Sequence, residues 1–211
     1  MSILLKDIRK SFGDTPVLAI DHLEIPDGSE WVVTGKSGSG KTTFLNLIAG
    51  ILLPDQGQVV VEGVEISALP ETKRDLFRAR KVGFVFQTFH LLPGFTALEN
   101  VQLGMLFAGK RDRVKAEGLL ERVGLADRMQ YHPAEMSVGQ QQRVAIARAL
   151  ANDPALILAD EPTGNLDPET GVIVLDLLRE VCRAEGTTLV AVTHQPQVVE
   201  AFPTTWNLSE S

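Results

Sequence analysis

The chain has 211 residues, which is enough for one domain or for one domain with a modest inserted lobe. Its 20 basic and 27 acidic residues give a formal net charge of −7, which argues against a nucleic-acid binder with a broad basic face. With 44% hydrophobic and 22% charged residues, the composition is that of an ordinary folded protein and excludes a disordered or fibrous one.

Three further features concern the compartment in which the chain works. The longest apolar runs, such as Leu47–Leu53, reach seven residues, whereas a helix that crosses a bilayer needs roughly 20. The single cysteine, Cys182, excludes an internal disulfide and fits a reducing compartment. The N-terminal segment lacks the apolar core and cleavage site of a signal peptide. We therefore expect a cytoplasmic protein without a membrane span.

Short β-rich segments alternate with helical patterns, which predicts an α/β fold with a mostly parallel sheet covered by helices. The predicted strands are Ser2–Ile8, Val17–Ile25, Glu30–Thr34, Gln58–Val61, Lys81–Phe86, Leu156–Ala159 and Thr188–Thr193. The first two and Gln58–Val61 alternate or follow turn signals, so we expect them to form an antiparallel annex. Leu156–Ala159 is entirely apolar, as is typical of a strand that is buried on both faces.

Strand signals stop between Thr88 and Asn152, where helical patterns replace them. These patterns cover Ala97–Ala108, Arg111–Val123 and Gly139–Ala151 and are broken by Pro93-Gly94, Gly109 and Pro133. They predict a helical lobe, residues 88–152, inserted into an α/β core of residues 1–87 and 153–211 within a single domain. A last helix is predicted at Pro168–Glu185, with proline in its first turn and Gly186 after its end.

A phosphate-binding loop is the most specific local motif. The pattern G-x-x-x-x-G-K-[ST] is matched by Gly35, Lys36, Ser37, Gly38, Ser39, Gly40, Lys41 and Thr42. The loop follows a predicted strand and opens a predicted helix at Thr42–Ala49, the context in which such a loop turns its amides towards phosphates. In this reading Lys41 reaches the β- and γ-phosphates, Thr42 coordinates Mg²⁺, and Thr43 adds a further nucleotide contact. The alternative is a Gly/Ser-rich turn with a chance lysine, which motif and context together disfavour.

Two adjacent acids, Asp160 and Glu161, follow the buried strand Leu156–Ala159 at the end where ligands bind in open α/β sheets. Neighbouring residues of a strand face opposite ways, so we expect the two carboxylates to have different roles. Asp160 suits a Mg²⁺ site, and Glu161 suits a general base that polarises the attacking water. The alternative is a simple Asp-Glu-Pro turn at the end of a strand.

At this point the chain resembles the ATP-binding cassette (ABC) family of ATPases. Residues 136–150, Met-Ser-Val-Gly-Gln followed by a helical pattern, are similar to the ABC signature L-S-G-G-Q and its helix. The resemblance implies that Ser137, Gly139 and Gln140 contact the γ-phosphate of ATP bound to the opposite subunit of a dimer. It also implies ATP and Mg²⁺ as cofactors, and a second nucleotide-binding subunit as partner.

Further positions match family motifs one by one. Phe12 resembles the aromatic residue that stacks on adenine, and Gln87 resembles the glutamine that senses the γ-phosphate and Mg²⁺. Residues 165–167, Asn-Leu-Asp, look like the D-loop that crosses the dimer interface, and His194 resembles the switch histidine that contacts the γ-phosphate. The resemblance thus assigns the catalytic work to Lys41, Gln87, Glu161 and His194.

The chain departs from the signature at Met136 and Val138. Methionine for leucine conserves volume. Valine replaces the first signature glycine, which places a β-branched residue where the family has freedom for positive φ. Ser137 and Gly139, which the resemblance assigns to phosphate contacts, are both kept, so we expect a working site, with weakened hydrolysis as the alternative.

Residues 86–101 and 161–167 resemble the lipoprotein-release and macrolide-export branch of the family. This implies a transmembrane permease as partner and attachment of the chain to the inner face of the cell membrane through it. The apolar run Phe89–Phe95 is either a docking surface for that permease or a buried hinge between the two lobes. Two other hypotheses are a cell-division regulator of the FtsE type and a DNA-maintenance ATPase. The second is disfavoured by the charge and by the absence of coiled-coil heptads or cysteine pairs before the signature.

Overall fold

A computed structural model of the chain describes residues 3–208. This part contains nine strands: β1 Ile3–Phe12, β2 Thr15–Ile25, β3 Glu30–Thr34, β4 Gln56–Val61, β5 Val64–Glu65, β6 Val82–Val85, β7 Leu156–Asp160, β8 Thr188–Thr193 and β9 Thr204–Asn207. Its α-helices are α1 Lys41–Ile48, α2 Glu71–Lys81, α3 Ala97–Leu106, α4 Arg113–Arg122, α5 Val138–Ala149, α6 Pro168–Glu185 and α7 Pro196–Ala201. None of these helices is both long and apolar enough to cross a membrane.

The predicted α/β fold with an antiparallel annex is confirmed. Strands β1, β2, β4 and β5 form a four-stranded antiparallel sheet in the order β2-β1-β4-β5. The remaining five strands form a parallel sheet in the order β6-β7-β8-β3-β9. Since carboxyl ends of parallel strands share one edge, the segments after β3, β6, β7 and β8 meet there.

Strand alternation divides the core into two layers, one on each face of the parallel sheet. On β7, Leu156 and Leu158 pack towards α1 and the antiparallel sheet. Ile157 and Ala159 pack on the other face, in the cluster that includes residues of α3, α4, α5 and α6. All four are fully buried, which confirms that this apolar strand is covered on both faces.

Several predicted boundaries were wrong. Strand β1 continues beyond Ile8 to Phe12 because it pairs with β2 through a bulge at Lys10 and Ser11. Its predicted first residue, Ser2, lies outside the described residues. Lys81, predicted as strand, ends α2, and the helices α3, α4 and α5 are each one to three residues shorter than their patterns. Strand and helix ends depend on pairing partners, which periodicity does not contain.

Helices α2 and α7 and strands β5 and β9 were missed. Helix α2 has no buried residue, so it lacks the apolar stripe that reveals a helix in sequence. It is held by one apolar contact, of the partly buried Phe77 with the core, and by Arg74 and Arg78, whose guanidinium groups donate to the carbonyl oxygen of Gly50 at 3.0 and 2.7 Å. Strand β9 is a short edge strand, and it is recognised only by its parallel pairing with β3.

Candidate functional site

A cleft of about 650 Å³ lies at the carboxyl edge of the parallel sheet. It brings together eleven of the predicted site residues: Phe12, Ser37, Gly38, Gly40, Lys41, Thr42, Thr43, Gln87, Asp160, Glu161 and His194. Its remaining lining residue, Val17, was not predicted, because an apolar residue on a hairpin strand has no motif that separates it from core.

The phosphate loop joins β3 to α1, and its backbone is shaped by glycine. Gly38 and Gly40 have φ of 77° and 95°, a region that side chains disfavour. Helix α1 begins after Gly40 without a side-chain cap, so its first amides remain free to bind an anion. The Lys41 ammonium donates to the carbonyl oxygens of Gly35 and Lys36 at 2.8 and 3.1 Å. The loop is therefore preorganised around an anion-sized turn.

Gly35, Lys36 and Ser39 belong to the loop but do not line the cleft in the described structure. Lys36 accepts a hydrogen bond from the Ser39 amide at 3.1 Å, which closes the turn. A Cβ atom at Gly35 would lie 2.4 Å from Ser39 Oγ, so a side chain there would collide with the turn. Within residues 3–208, Ser39 Oγ is buried and has no hydrogen-bond partner, which is costly until another group satisfies it.

Thr42 and Asp160 form the oxygen-rich part of the cleft. The Thr42 hydroxyl donates to Asp160 Oδ2 at 3.0 Å. Burial raises the pKa of Asp160 above its ordinary value, and the hydrogen bond from Thr42 opposes that rise. Hydroxyl, carboxylate and amide oxygens suit Mg²⁺, and Gln87 adds an amide to the same cleft. Among residues 3–208 no group of three or more His, Cys, Asp or Glu side chains could hold a metal ion.

Asp160 and Glu161 line the same cleft, contrary to the alternation expected of neighbours on a strand. Strand β7 ends at Asp160, and Glu161 has φ of 45°, so the backbone turns before the second acid. The roles still differ, because the partners differ. Glu161 Oε1 lies 2.6 Å from His194 Nδ1, and Oε2 accepts from the Thr193 hydroxyl at 2.8 Å.

Gln87 is tied to the segment that follows Glu161. The Asn165 side-chain amide donates to the Gln87 carbonyl oxygen at 2.8 Å. A Cβ atom at Gly164 would lie 2.7 Å from Gln87 Nε2, so the two segments approach closely because residue 164 has no side chain. A shift of the backbone at Gln87 would therefore displace the Asn165–Asp167 loop as well.

Phe12 lies at the rim of the cleft at the end of β1. Its neighbours anchor it: Asp55 accepts from Lys10 Nζ and from the Ser11 amide, both at 2.7 Å. The Lys10 ammonium lies 5.6 Å from the centre of the Phe12 ring, and Phe12 is 51% exposed. The ring thus presents an open face on which a planar base can stack.

The signature residues are separate from this cleft. Ser137, Gly139 and Gln140 are not among the described residues that line it. Ser137 caps α5, where its hydroxyl accepts from the Gln140 amide at 3.3 Å and Gln140 Oε1 accepts from the Ser137 amide at 2.9 Å. Val138 is the first residue of α5, its φ is not positive, and it is 45% exposed. The expected backbone conflict at valine is therefore absent from this region.

A second groove, of about 460 Å³, lies between β6 and α3 and is mainly apolar. Its lining includes Phe86, His90, Leu92 and Phe107. Leu92 is 47% exposed and Phe107 is 81% exposed. Arg148 of α5 donates to the carbonyl oxygens of Phe89 and His90 at 2.5 and 2.6 Å, which holds the edge of the groove.

Comparison with known proteins agrees with this geometry. The family model described as "ABC transporter" matches residues 18–164. An uncharacterised ABC transporter ATP-binding protein of Thermotoga maritima is 50% identical over 180 residues, 84% of this chain and 76% of the relative. The lipoprotein-releasing system ATP-binding protein LolD of Pseudomonas fluorescens is 44% identical over 212 residues, 97% of this chain and 93% of the relative.

Among solved structures, the ATP-binding cassette MJ0796, a dimer in a post-hydrolysis state bound to ADP and Pi, superposes with a TM-score of 0.87. It is 38% identical, and the match covers 98% of this chain and 94% of that one. The cleft, the phosphate loop and these relatives lead to one conclusion: the chain belongs to the ABC transporter family, as an ATP-binding subunit with ATPase activity.

Proposed function

We propose that this chain is the motor subunit of a lipoprotein-release or export transporter, and that two copies enclose ATP between them. The observation that carries the proposal is the separation of the two halves of the site. The phosphate loop and Glu161 line one cleft, whereas Ser137 caps a helix elsewhere on the surface. In this proposal each half is completed by a second copy, and a two-fold pair completes both sites at once.

In this proposal the cleft holds one ATP. Phe12 stacks on the base, and the loop of residues 35–43 surrounds the phosphates with its amides and with the Lys41 ammonium. Thr42, Gln87 and Asp160 would hold Mg²⁺, which neutralises phosphate charge when it is bound. Glu161 accepts the proton of the attacking water, and His194 contacts the γ-phosphate.

The same copy would offer Ser137, Gly139 and Gln140 to the nucleotide of its partner. The amides at the start of α5 and the positive end of that helix suit a γ-phosphate. ATP then draws the two copies together, and hydrolysis releases them. We regard residues 1–211 as one domain, in which the helical lobe of residues 88–152 moves against the core of residues 1–87 and 153–211.

The membrane partner is proposed from the second groove and from the relatives. The groove is apolar, is open to solvent and continues into Phe89–Phe95, so it suits a helix of a transmembrane permease. The segment that lines this groove follows directly on Gln87 in the chain. A partner bound there would therefore respond to movement of Gln87 in the nucleotide site. Through that contact the chain would lie at the inner face of the cell membrane.

Mixing two inactive variants tests the shared site. In Lys41→Ala the phosphate site fails, and in Ser137→Arg the signature fails. If each site uses Lys41 of one copy and Ser137 of the other, a mixed pair contains one intact site. We expect the mixture to hydrolyse ATP well above the sum of the two variants alone. A mixture no more active than its components would contradict a site shared between two copies.

A second experiment tests Glu161. With ATP and Mg²⁺, Glu161→Gln is expected to lose phosphate release and to elute from a sizing column as a stable dimer. Glu180→Gln, which removes an exposed carboxylate on α6, is the matched control and should behave like the unaltered chain. Monomeric Glu161→Gln with normal phosphate release would refute both the role of Glu161 and the enclosed dimer.

A further inference from the structure

Thr193, the last residue of β8, has an unusually constrained hydroxyl. The residue is fully buried, and its Oγ1 lies 2.8 Å from Glu161 Oε2. The same oxygen accepts a hydrogen bond from the Gln195 amide at 3.1 Å. A hydroxyl has one proton to donate, and the amide uses a lone pair, so the proton points at the carboxylate. The direction of this hydrogen bond is therefore set by the backbone after β8.

The two oxygens of Glu161 are held by partners of different mobility. Thr193 belongs to a strand that lies between β7 and β3 and is buried throughout. His194, which holds Oε1, has a side chain that is 65% exposed, whereas the Glu161 side chain is 12% exposed. An exposed imidazole can rotate away at little cost, but a buried hydroxyl inside a sheet cannot.

The backbone of Glu161 is tied to β8 as well. Its amide donates to the Val192 carbonyl oxygen at 3.0 Å, and its own carbonyl oxygen accepts from the Gly164 amide at 2.9 Å. These bonds hold the residue at φ of 45°, a conformation that a side-chain-bearing residue adopts only when its surroundings impose it. Backbone and side chain are thus aligned on the same neighbouring strand.

We propose that Thr193 is a positioning residue for hydrolysis: it anchors Oε2 of Glu161, so that Oε1 is the oxygen that faces the nucleotide once His194 moves. This inference rests on the proposed role of Glu161 as the base. Thr193 itself contacts no nucleotide in this scheme. Its effect is to limit Glu161 to one orientation, as catalytic geometry requires.

Three replacements of Thr193 separate positioning from packing. Thr193→Val keeps the shape and removes the hydroxyl, Thr193→Ser keeps the hydroxyl, and Thr193→Cys supplies a weaker donor. We expect Thr193→Val to lower kcat about 10- to 100-fold, because a hydrogen bond to a charged group is lost from the reacting geometry. Thr193→Ser should stay within about threefold of the unaltered chain, with Thr193→Cys between the two.

The readout that packing would not produce is the comparison with Glu161→Gln. Thr193→Val should leave the Kd for ATP unchanged, and it should not further lower any slow turnover that Glu161→Gln retains. Its melting temperature should fall, because Glu161 Oε2 and the Gln195 amide both lose their hydrogen-bond partner. If valine disturbs the sheet, the kcat values with threonine, serine and cysteine at position 193 still show whether activity follows the strength of the hydrogen-bond donor. The inference would be overturned if Thr193→Val lowered the turnover of Glu161→Gln by the same factor as it lowers that of the unaltered chain. Equal decreases in kcat for Thr193→Ser and Thr193→Val would also overturn it.

The inference and the proposed function fail in different ways. If Glu161→Gln turns over ATP like the unaltered chain, Glu161 is not the base and the proposed function is wrong at that residue. If Glu161→Gln is inactive but Thr193→Val is fully active, the base stands and only the anchoring by Thr193 is refuted.

Discussion

An ion cluster at the start of β3 predicts a large loss of stability from one substitution. Glu30, whose side chain is 5% exposed, accepts from Arg179 Nε at 2.8 Å and from Arg183 Nη2 at 3.0 Å. The Arg179 side chain is 13% exposed and its guanidinium lies 5.3 Å from the centre of the Phe202 ring, whereas the Arg183 side chain is 58% exposed. Glu30→Gln therefore leaves one buried guanidinium without its counter-charge, since water can hydrate Arg183.

The magnitude follows from that difference. Removal of one partner of a buried ion pair costs about 3–5 kcal/mol. Only Arg179 stays buried, and the glutamine oxygen still accepts a hydrogen bond, so we expect the lower end, about 3 kcal/mol. In a chain of this size 1 kcal/mol corresponds to about 2–4 °C in Tm, so the midpoint should fall by about 6–12 °C. Circular dichroism during heating measures the midpoint, and urea unfolding gives the free energy of unfolding.

Two matched variants control this experiment. Arg183→Gln removes the exposed partner and should cost about 1 kcal/mol or less, since water screens that pair. Glu180→Gln, on the exposed face of the same helix, should leave the midpoint unchanged. The reasoning fails if Glu30→Gln and Glu180→Gln unfold at the same temperature, because the buried guanidinium would then have found another partner.

Three further outcomes are expected. Phe12→Ala should weaken ATP binding about 10- to 100-fold and Phe12→Tyr should not, because stacking on a base is worth about 1–3 kcal/mol; equal affinities in equilibrium titration would exclude stacking. Gln142→Leu removes a buried amide that donates to the Pro162 carbonyl oxygen at 2.6 Å, which is destabilising. It also removes a buried amide oxygen that has no partner among the described residues, which is stabilising, so the free energy of unfolding measured in urea should fall by only about 1 kcal/mol. Burial raises the pKa of the Cys182 thiol to about 12, so a maleimide at pH 8 should label the denatured chain and not the folded one; rapid labelling of the native chain would contradict the buried position.

Much of the fold could be predicted because the central elements have local signals. Strands β3 and β8 and helix α6 were predicted with the bounds that they have, since apolar runs and terminal proline and glycine mark them. The errors lie at the periphery. Helix α2 and β9 lack an apolar pattern that would mark them in the sequence. Helix α2 depends on arginine hydrogen bonds to a loop, and β9 depends on pairing at the edge of a sheet.

The site shows the same division between local and long-range information. The phosphate loop was predictable because eight consecutive residues contain its whole conformation, including the glycines that allow positive φ. The direction of Glu161 was not, because it depends on β8, which is 32 positions away at Thr193. The sequence offered one signal for this contact, the polar Thr193 at the end of an apolar strand next to His194. Such a residue is too common to predict a contact with Glu161.

The amino-acid sequence by itself determined the α/β architecture, the phosphate loop and the membership of an ATPase family, because each depends on consecutive residues and local backbone preferences. Tertiary structure alone decided that Asp160 and Glu161 share one cleft, and that Thr193 and His194 hold separate oxygens of the same carboxylate. The physical reason is that these relations join strands and helices distant in sequence, and only packing brings them within hydrogen-bond distance.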